Sequence, residues 1–193
     1  MALKRKTAPA PVIDLAEAKA WLRVTSSDQD AVIQRIINSV TEWLDGPEGV
    51  LGACILSQTW EYFPDAFPVG DLEIPTSLGK VISVDSIEYK DPSTGNYAVW
   101  SNTNYTVDTV SRLVRASISW PTPKSDVLAP IRITVIAGLA TAADAIPAPI
   151  IEAMLMMIVD RFDNRAAVNA DKLPVVVPMG VESRIAPFRR IQF

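Results

Sequence analysis

The sequence predicts an α+β protein in which a β-rich block lies between two helical stretches and an extended tail follows. Apolar residues recur at helical spacing near both ends of the 193-residue chain, whereas the middle carries short alternating runs broken by turns. The last stretch is rich in proline and has no apolar stripe. We therefore divide the chain into a flexible N-terminal arm at 1–12, a helical core at 13–55 and 138–173, an inserted β-rich block at 56–137, and an extended C-terminal tail at 174–193.

The arm and the first helix are predicted from MALKRKTAPAPVIDLAEAKAWL. The Ala, Pro and Lys composition of residues 1–12 favours a flexible segment, and its basic start lacks the apolar stretch of a secretory signal. Asp14 and Glu17 have the spacing of a capping box, so the first helix begins at Asp14. Its apolar stripe includes Trp21, which we expect to pack in the core.

The second helix has the clearest helical period in the sequence. We expect Ser27 or Asp28 to be its N-cap, and DGPEG at 45–49 to end it. The apolar residues that recur along one face are Val32, Ile33, Ile36, Ile37, Val40, Trp43 and Leu44.

The β-rich block is predicted from seven short segments. These are TWEYF, DLEIP, KVISVDSIEYK, NYAVW, NYTVD, RLVRASISW and IRITVIAG. DPSTGN at 91–96 is typical of a hairpin loop, which makes the sheet antiparallel at that point, and WPTP at 120–123 is a rigid corner.

A third helix is predicted from IPAPIIEAMLMMIVDRFDNR at 146–165. Pro147 and Pro149 fit only before or within its first turn. Its apolar surface is broad, so more than one neighbour must cover it, and its apolar run is too short to span a bilayer. We expect the following residues of the second and third helices to lie in the core or at a subunit interface: Ile33, Ile37, Trp43, Ile151, Met154, Leu155, Ile158 and Phe162.

The composition argues against an enzyme. The chain has no histidine, and its single Cys54 lies among apolar residues, which favours a packed thiol. Asp160 and Asp163 alternate with arginines at the end of the third helix, so surface ion pairing is favoured over acid–base chemistry. We expect no catalytic residue, no cofactor and no metal ligand. The lack of a secretory signal and the short apolar runs described above predict a cytosolic, soluble protein.

The charges are unevenly placed. Residues 1–13 and 174–193 hold six of the 18 basic residues and one of the 22 acidic ones, which leaves 12 basic and 21 acidic residues in the body, a net charge of −9. Such a body repels nucleic acid at long range, so a specific DNA-binding protein is not expected. The hydrophobic share of 49% favours contacts between subunits, although a large core could absorb it.

The order of motifs resembles the head–tail connector, or adaptor, proteins of tailed phages, whose relatives also occur in phage-like gene-transfer agents. The resemblance runs from about Ile13 to Arg165. It rests on IDLAEAKAWLRV, SSDQDAVIQRIINSVTEWL, SQTWEYF, LEIP, VISVDSIEYKDPSTG, NYTVD, the WP corner, ITVIAGL and IPAPIIEAMLMMIVDRFDNR. The sequence departs from the family at Gly79 or Lys80, where relatives often carry a proline, and at DGPEG, where many continue with a polar segment.

The resemblance implies a helical bundle with an inserted small antiparallel β domain. It also implies a structural virion protein of the neck, made in the host cytoplasm, that forms a ring of twelve copies beneath the portal protein. The ring would join the portal to a stopper or tail-completion protein and extend the channel through which DNA passes without specific binding. Membranes are not an expected partner.

The C-terminal tail is the segment that the resemblance assigns to the portal. A short extended run such as PVVVP can add to an exposed sheet edge of a partner, with arginines fixing the register. The resulting portal-contact candidates are Val175, Val176, Val177, Met179, Arg184, Phe188, Arg189, Arg190 and Phe193.

Two other functions remain open from the residues alone. The β-rich block could be a carbohydrate- or receptor-binding module of a phage particle, with Trp60 and Trp100 as its platform. A hydrolase would have to use Asp160 or Glu152. Binding to glycans, or hydrolytic activity lost on replacement of those residues, would distinguish these functions from a connector.

Overall fold

A computed structural model describes residues 2–164 and 179–190 of the chain, which form two compact units. The sheet unit contains residues 2–9 and 57–139, and the helical unit contains residues 10–56, 140–164 and 179–190. Helices and antiparallel sheets occur together, so the predicted α+β class is confirmed. Within the described residues, each helix is too short or too polar to cross a membrane.

The helical unit is built on α1 (Leu15–Leu22), α2 (Asp30–Leu44), α3 (Ala148–Asp163) and α4 (Met179–Ile185). The predicted start of α1 is confirmed, because the Asp14 carboxylate accepts a hydrogen bond from the Glu17 amide at 2.7 Å. The predicted cap of α2 is wrong. Gln29 precedes the helix without a side-chain capping bond, and the Asp28 carboxylate instead accepts from the Ser26 hydroxyl in the preceding turn.

The core of the helical unit lies among α2, α3 and the segment that follows α2. Residues on several sides of α3 are buried. Neighbouring residues therefore cover its broad apolar surface, as the sequence predicts. After α2 the chain turns through DGPEG, as predicted, and Leu51, Cys54 and Ile55 enter the core. The buried residues of the two long helices are Ile33, Ile37, Val40, Leu44, Ile150, Ala153, Met154, Leu155, Met157 and Ile158.

The sheet unit contains two antiparallel sheets among the described residues. In chain order the strands are β1 (Ala2–Thr7), β2 (Gln58–Phe63), β3 (Leu72–Glu73), β4 (Val81–Lys90), β5 (Tyr97–Trp100), β6 (Tyr105–Asp108), β7 (Leu113–Ala116) and β8 (Ile131–Ala137). The larger sheet has the order β1-β2-β8-β4-β5, and the smaller has the order β3-β7-β6. All seven predicted strands are present, although RLVRASISW is a strand only over its first half.

The last strand among the described residues, β8, pairs with both β2 and β4 in the larger sheet. It is therefore buried along most of its length, and Ile131, Ile133 and Val135 are all at or near zero exposure. Its sequence IRITVIA is nearly continuous in apolar and β-branched residues, as a buried strand requires.

The predicted flexible arm is wrong over Ala2–Thr7, which forms the edge strand β1 and pairs with β2. The guanidinium of Arg5 lies 5.2 Å from the ring centre of Trp60, and the Lys6 ammonium lies 3.9 Å from the Glu61 carboxylate. These contacts stabilise β1, although the segment is basic and largely exposed. Lysines on an edge strand also discourage unwanted pairing with other chains.

The predicted extended tail is also wrong where the structure describes it. Met179–Ile185 is the helix α4, and Ala186–Phe188 is a 3₁₀ turn. Residues 174–178 and 191–193 lie outside the described residues. Val181 and Ile185 are buried and anchor this segment to the helical unit, which the short sequence between Pro178 and Pro187 did not indicate.

Candidate assembly surfaces

The helix α4 is fixed to the rest of the helical unit by its own side chains. Val181 is fully buried, Ile185 is 2% exposed, and α4 packs against α3. The Arg184 Nε donates to Oε2 of Glu152 on α3 at 3.0 Å, and its Nη1 donates to the Gly180 carbonyl at 2.9 Å. Arg184 is thus already engaged within its own chain.

Beyond α4 the chain presents what we call the arginine surface, formed by Arg189 and Arg190 beside the turn that follows α2. Both arginines are exposed. Their backbone is anchored, because the Arg189 amide donates to the Ile185 carbonyl at 3.1 Å and the Arg190 amide donates to the Leu51 carbonyl at 2.9 Å. A shallow depression of about 630 Å³ lies here. Its other lining residues are Pro47, Glu48, Gly49, Val50 and Gly52.

A second surface of the helical unit, which we call the tryptophan groove, lies along α1 and the start of α3. Trp21 is 53% exposed, so its predicted place in the core is wrong. Only Ala18 of α1 is buried, because this helix of eight residues offers a narrow apolar face. The groove measures about 480 Å³. Its lining residues are Val12, Glu17, Trp21, Ala143, Asp144, Ile146, Ala148, Ile151, Glu152 and Leu155.

The tryptophan groove combines an apolar floor with an acidic rim. Val12, Ile146 and Leu155 supply buried apolar surface, while Glu17, Asp144 and Glu152 are exposed. This combination was not predicted from the sequence. The available signal was Trp21 on a short helix with few apolar neighbours, four residues after Glu17.

The residues considered for acid–base chemistry are separated and engaged elsewhere. Asp160 accepts from the Asn164 side chain at 2.9 Å, and Glu152 accepts from Arg184. The Arg161 guanidinium donates to the Ser39 hydroxyl of α2 at 2.6 Å and so joins α3 to α2. Within the described residues no group of acidic or cysteine side chains has the arrangement of a metal site.

The tryptophans proposed for glycan binding are largely inaccessible. Trp60 is 7% exposed and Trp100 is 6% exposed. Trp100 stacks on Tyr105 with ring centres 5.5 Å apart and lies 4.9 Å from Trp120, which itself stacks on Phe67. Aromatic rings that cover one another do not offer a flat platform to a sugar.

Charged pairs fix the surface of the sheet unit. The Arg115 guanidinium donates to both carboxylate oxygens of Asp71, at 2.6 Å from Nη2 to Oδ2, and this hydrogen bond lowers the pKa of Asp71. Arg132 Nε donates to Glu88 at 2.6 Å, and the hydrogen bond raises the pKa of Arg132. Both pairs join neighbouring strands or loops, which is a structural role.

The structure places the candidate core and interface residues in two groups. Ile33, Ile37, Met154, Leu155 and Ile158 are buried within the helical unit. Trp43, Ile151 and Phe162 are half-buried.

The portal-contact candidates are not brought together in one described segment. Val175, Val176, Val177 and Phe193 lie outside the described residues. Met179 begins α4, Arg184 pairs with Glu152, Phe188 is half-buried in the 3₁₀ turn, and Arg189 and Arg190 are exposed.

The sequence matches a known family over part of its length. Residues 12–91 match the family model described as "Phage gp6-like head-tail connector protein". This range contains α1, α2 and the strands β2 to β4, and the predicted resemblance to head–tail connectors is confirmed by it. No curated protein matches the chain in sequence.

Solved structures match the whole chain. A chain of "Neck of empty GTA particle computed with C6 symmetry" has a TM-score of 0.74 at 19% identity. A chain of "Virion of native gene transfer agent (GTA) particle" has 0.74 at 18%, and one of "Neck of native GTA particle computed with C12 symmetry" has 0.68 at 17%. Each match covers 100% of this chain and 97% of the other. At these identities the similarity is one of fold.

Proposed function

We propose that this chain is a structural protein of the virion neck in a tailed phage or a gene-transfer agent, where it acts as a head–tail connector. The observation that carries the proposal is a fold shared along the whole chain with proteins of gene-transfer-agent necks, together with the connector-family match over residues 12–91. Its role is geometric and not enzymatic. The long helices and the sheet unit hold surfaces in place for neighbouring proteins.

The connector assembles as a ring of copies around the channel axis. Related necks were computed with C6 and with C12 symmetry, which supports a ring of copies, and we propose twelve. A ring requires each subunit to offer two different surfaces that meet head to tail. The half-buried Trp43, Ile151 and Phe162, together with the exposed Trp21, supply apolar area for contacts of this kind.

The ring lies beneath the portal, joins it to a stopper or tail-completion protein, and lets DNA pass through its lumen. A body with a net charge of −9 outside the two ends, as the sequence gives it, suits a channel that must not retain DNA. We assign the portal contact to Val175, Val176 and Val177. Arg184 pairs within its own chain, which makes it a poorer portal ligand.

Imaging of the particle neck tests this function directly. Particles that carry the chain with an epitope inserted in the exposed loop at 92–94 should show the label as a closed ring below the portal. In the absence of the chain, heads should fail to join tails. A label found elsewhere, or normal tail joining without the chain, would contradict the proposal.

Substitutions test the portal contact better than removal of the whole tail. Deleting residues 174–193 would also remove α4, whose Val181 and Ile185 are buried in the helical unit. Replacing Val175, Val176 and Val177 together by serine should abolish attachment to portal-bearing heads, with circular dichroism used to check that the variant is folded. Replacement of the exposed Val69 and Val110 of the sheet unit by serine is the matched control. Unchanged attachment of the triple variant would refute this assignment.

A glycan-binding module is the weaker alternative. Trp60 and Trp100 are both buried, so the residues proposed for sugar stacking would have to leave their packing to act.

A further inference from the structure

We propose that neighbouring copies join head to tail by seating the arginine surface of one copy on the tryptophan groove of the next. The proposal rests on the proposed function, because it identifies the contact that closes the ring. It commits to a second copy of this chain as the occupant of the groove, with Arg189 and Arg190 as the groups that enter it.

The exposed Trp21 makes the groove suitable for a protein partner. A tryptophan that is 53% exposed leaves a large apolar area in water. Ile151, half-buried, continues the apolar floor beside it. Tryptophan is enriched among the residues that dominate binding energy at interfaces, and such residues lie in pockets from which water is excluded. We therefore expect the surface of another protein to cover Trp21.

The rim of the groove selects the charge of that molecule. Glu17 and Asp144 are exposed and have no ion-pair partner among the described residues, whereas Glu152 already pairs with Arg184. No lysine or arginine belongs to the groove lining that the structure describes. Two unneutralised carboxylates beside an apolar floor match a surface that carries two cations and some apolar area.

The arginine surface of the same chain has those properties. Arg189 and Arg190 are exposed, and neither has an ion-pair partner among the described residues. Their backbone bonds to Ile185 and Leu51 hold them in place. Pro47 and Val50 add apolar area next to them. Because guanidinium groups donate two parallel hydrogen bonds to a carboxylate, arginines suit Glu17 and Asp144 better than lysines would.

The two surfaces have no lining residue in common, which determines the kind of assembly they make. A contact between different surfaces of identical chains is heterologous, so each copy binds one neighbour on either side. Repetition of one such contact closes a ring when the rotation fits. A two-fold dimer would instead require one surface to meet itself.

Cross-linking of introduced cysteines in assembled particles tests the contact. Ala143→Cys labels the groove, Val50→Cys labels the arginine surface, and the native Cys54 is fully buried and stays unreactive while the chain is folded. A flexible bis-maleimide should join copies of the double variant into a ladder of covalent multimers. Each single variant should stay monomeric. Dimers from a single variant, or no ladder from the double variant in particles that contain the chain, would overturn the proposal.

Charge exchange gives a second, independent test. Glu17→Lys with Asp144→Lys, or Arg189→Glu with Arg190→Glu, should each lower incorporation into necks about tenfold or more, and the combination of all four should restore it. Glu42→Lys with Arg35→Glu, on exposed positions of α2, is the matched control and should have little effect. If the four-fold variant stays defective while circular dichroism shows it folded, the proposal is wrong.

The results separate the two levels of the hypothesis. Wild-type particles that lack this chain at the neck would refute the proposed function, and the subunit contact would fall with it. A labelled ring at the neck, combined with a failed ladder or a failed rescue, would refute only the contact between the arginine surface and the tryptophan groove.

Discussion

Arg184 on α4 donates from Nε to Oε2 of Glu152 on α3 at 3.0 Å, which ties α4 to α3. Both side chains are partly exposed, at 38% and 55%. An exposed ion pair contributes about 0–1 kcal/mol, whereas burial of a large aliphatic side chain contributes about 1.5–3 kcal/mol. The attachment of α4 therefore depends mainly on Val181 and Ile185, both of which are buried.

Replacing Ile185 by alanine should lower the free energy of unfolding of the helical unit by about 2–4 kcal/mol, because it removes buried methylene groups and leaves a cavity. Arg184→Ala should cost about 1 kcal/mol or less. Urea unfolding followed by far-UV circular dichroism measures both. A larger loss from Arg184→Ala than from Ile185→Ala would show that the ion pair, and not the apolar contact, holds α4.

The carboxylate of Asp45 at the end of α2 should stabilise the helical unit. Asp45 is 3% exposed, and its Oδ1 accepts a hydrogen bond from the Ile55 amide at 2.7 Å. Asp45→Ala leaves that buried amide without this acceptor, at a cost of about 1–3 kcal/mol. The matched control is Glu48→Ala in the same turn, where the side chain is exposed and little change is expected. Equal unfolding midpoints in urea for the two variants would contradict the role assigned to Asp45.

Acid should loosen the pair between Asp71 and Arg115 in the sheet unit. The Arg115 hydrogen bond lowers the pKa of Asp71 from its usual 3.8, so the folded state holds this carboxylate ionised more strongly than the unfolded state does. The stabilisation is therefore complete above about pH 4–5 and is lost as the pH falls through the lowered pKa. Carboxyl carbon chemical shifts followed by NMR against pH measure it.

Arg115→Gln should return the pKa of Asp71 towards 3.8. Asp91 is the internal control, because hydrogen bonds from Ser93 and Thr94 lower its pKa and Arg115 takes no part. A variant in which Asp71 keeps its lowered pKa, or in which Asp91 shifts equally, would show that the guanidinium is not the cause.

The elements with a strong internal pattern were predictable from the sequence. The spacing of Asp14 and Glu17 predicted the start of α1, and the helical period of Ile33, Ile37 and Val40 predicted α2. Their signals are local, since caps and stripes depend on residues a few positions apart. The same holds for the strands of the sheet unit, whose alternation is visible in each segment.

The elements that the sequence did not predict depend on contacts distant in the chain. β1 is ordered through its pairing with β2 and the contact of Arg5 with Trp60, which no pattern within MALKRKT indicates. α4 is short, and its anchor becomes visible only when α3 is beside it. Trp21 was predicted to be buried and is exposed. An apolar stripe shows which face of a helix could be buried, but it does not show whether a neighbouring element covers that face.

Gly49 lies in the turn after α2, where a side chain has no room. A Cβ at this position would come within 2.5 Å of the backbone carbonyl oxygens of Leu44 and Asp45, and backbone atoms at a helix end cannot move aside cheaply. Gly49→Ala should therefore destabilise the helical unit by about 1–3 kcal/mol. Gly70→Ala is the control, because a Cβ there meets nothing within 4 Å. The urea midpoint should fall for Gly49→Ala and stay unchanged for Gly70→Ala. Since Gly49 also lines the arginine surface, a fold that accepts alanine here without loss would mean that this turn can shift, and that Arg189 and Arg190 rest on a movable support.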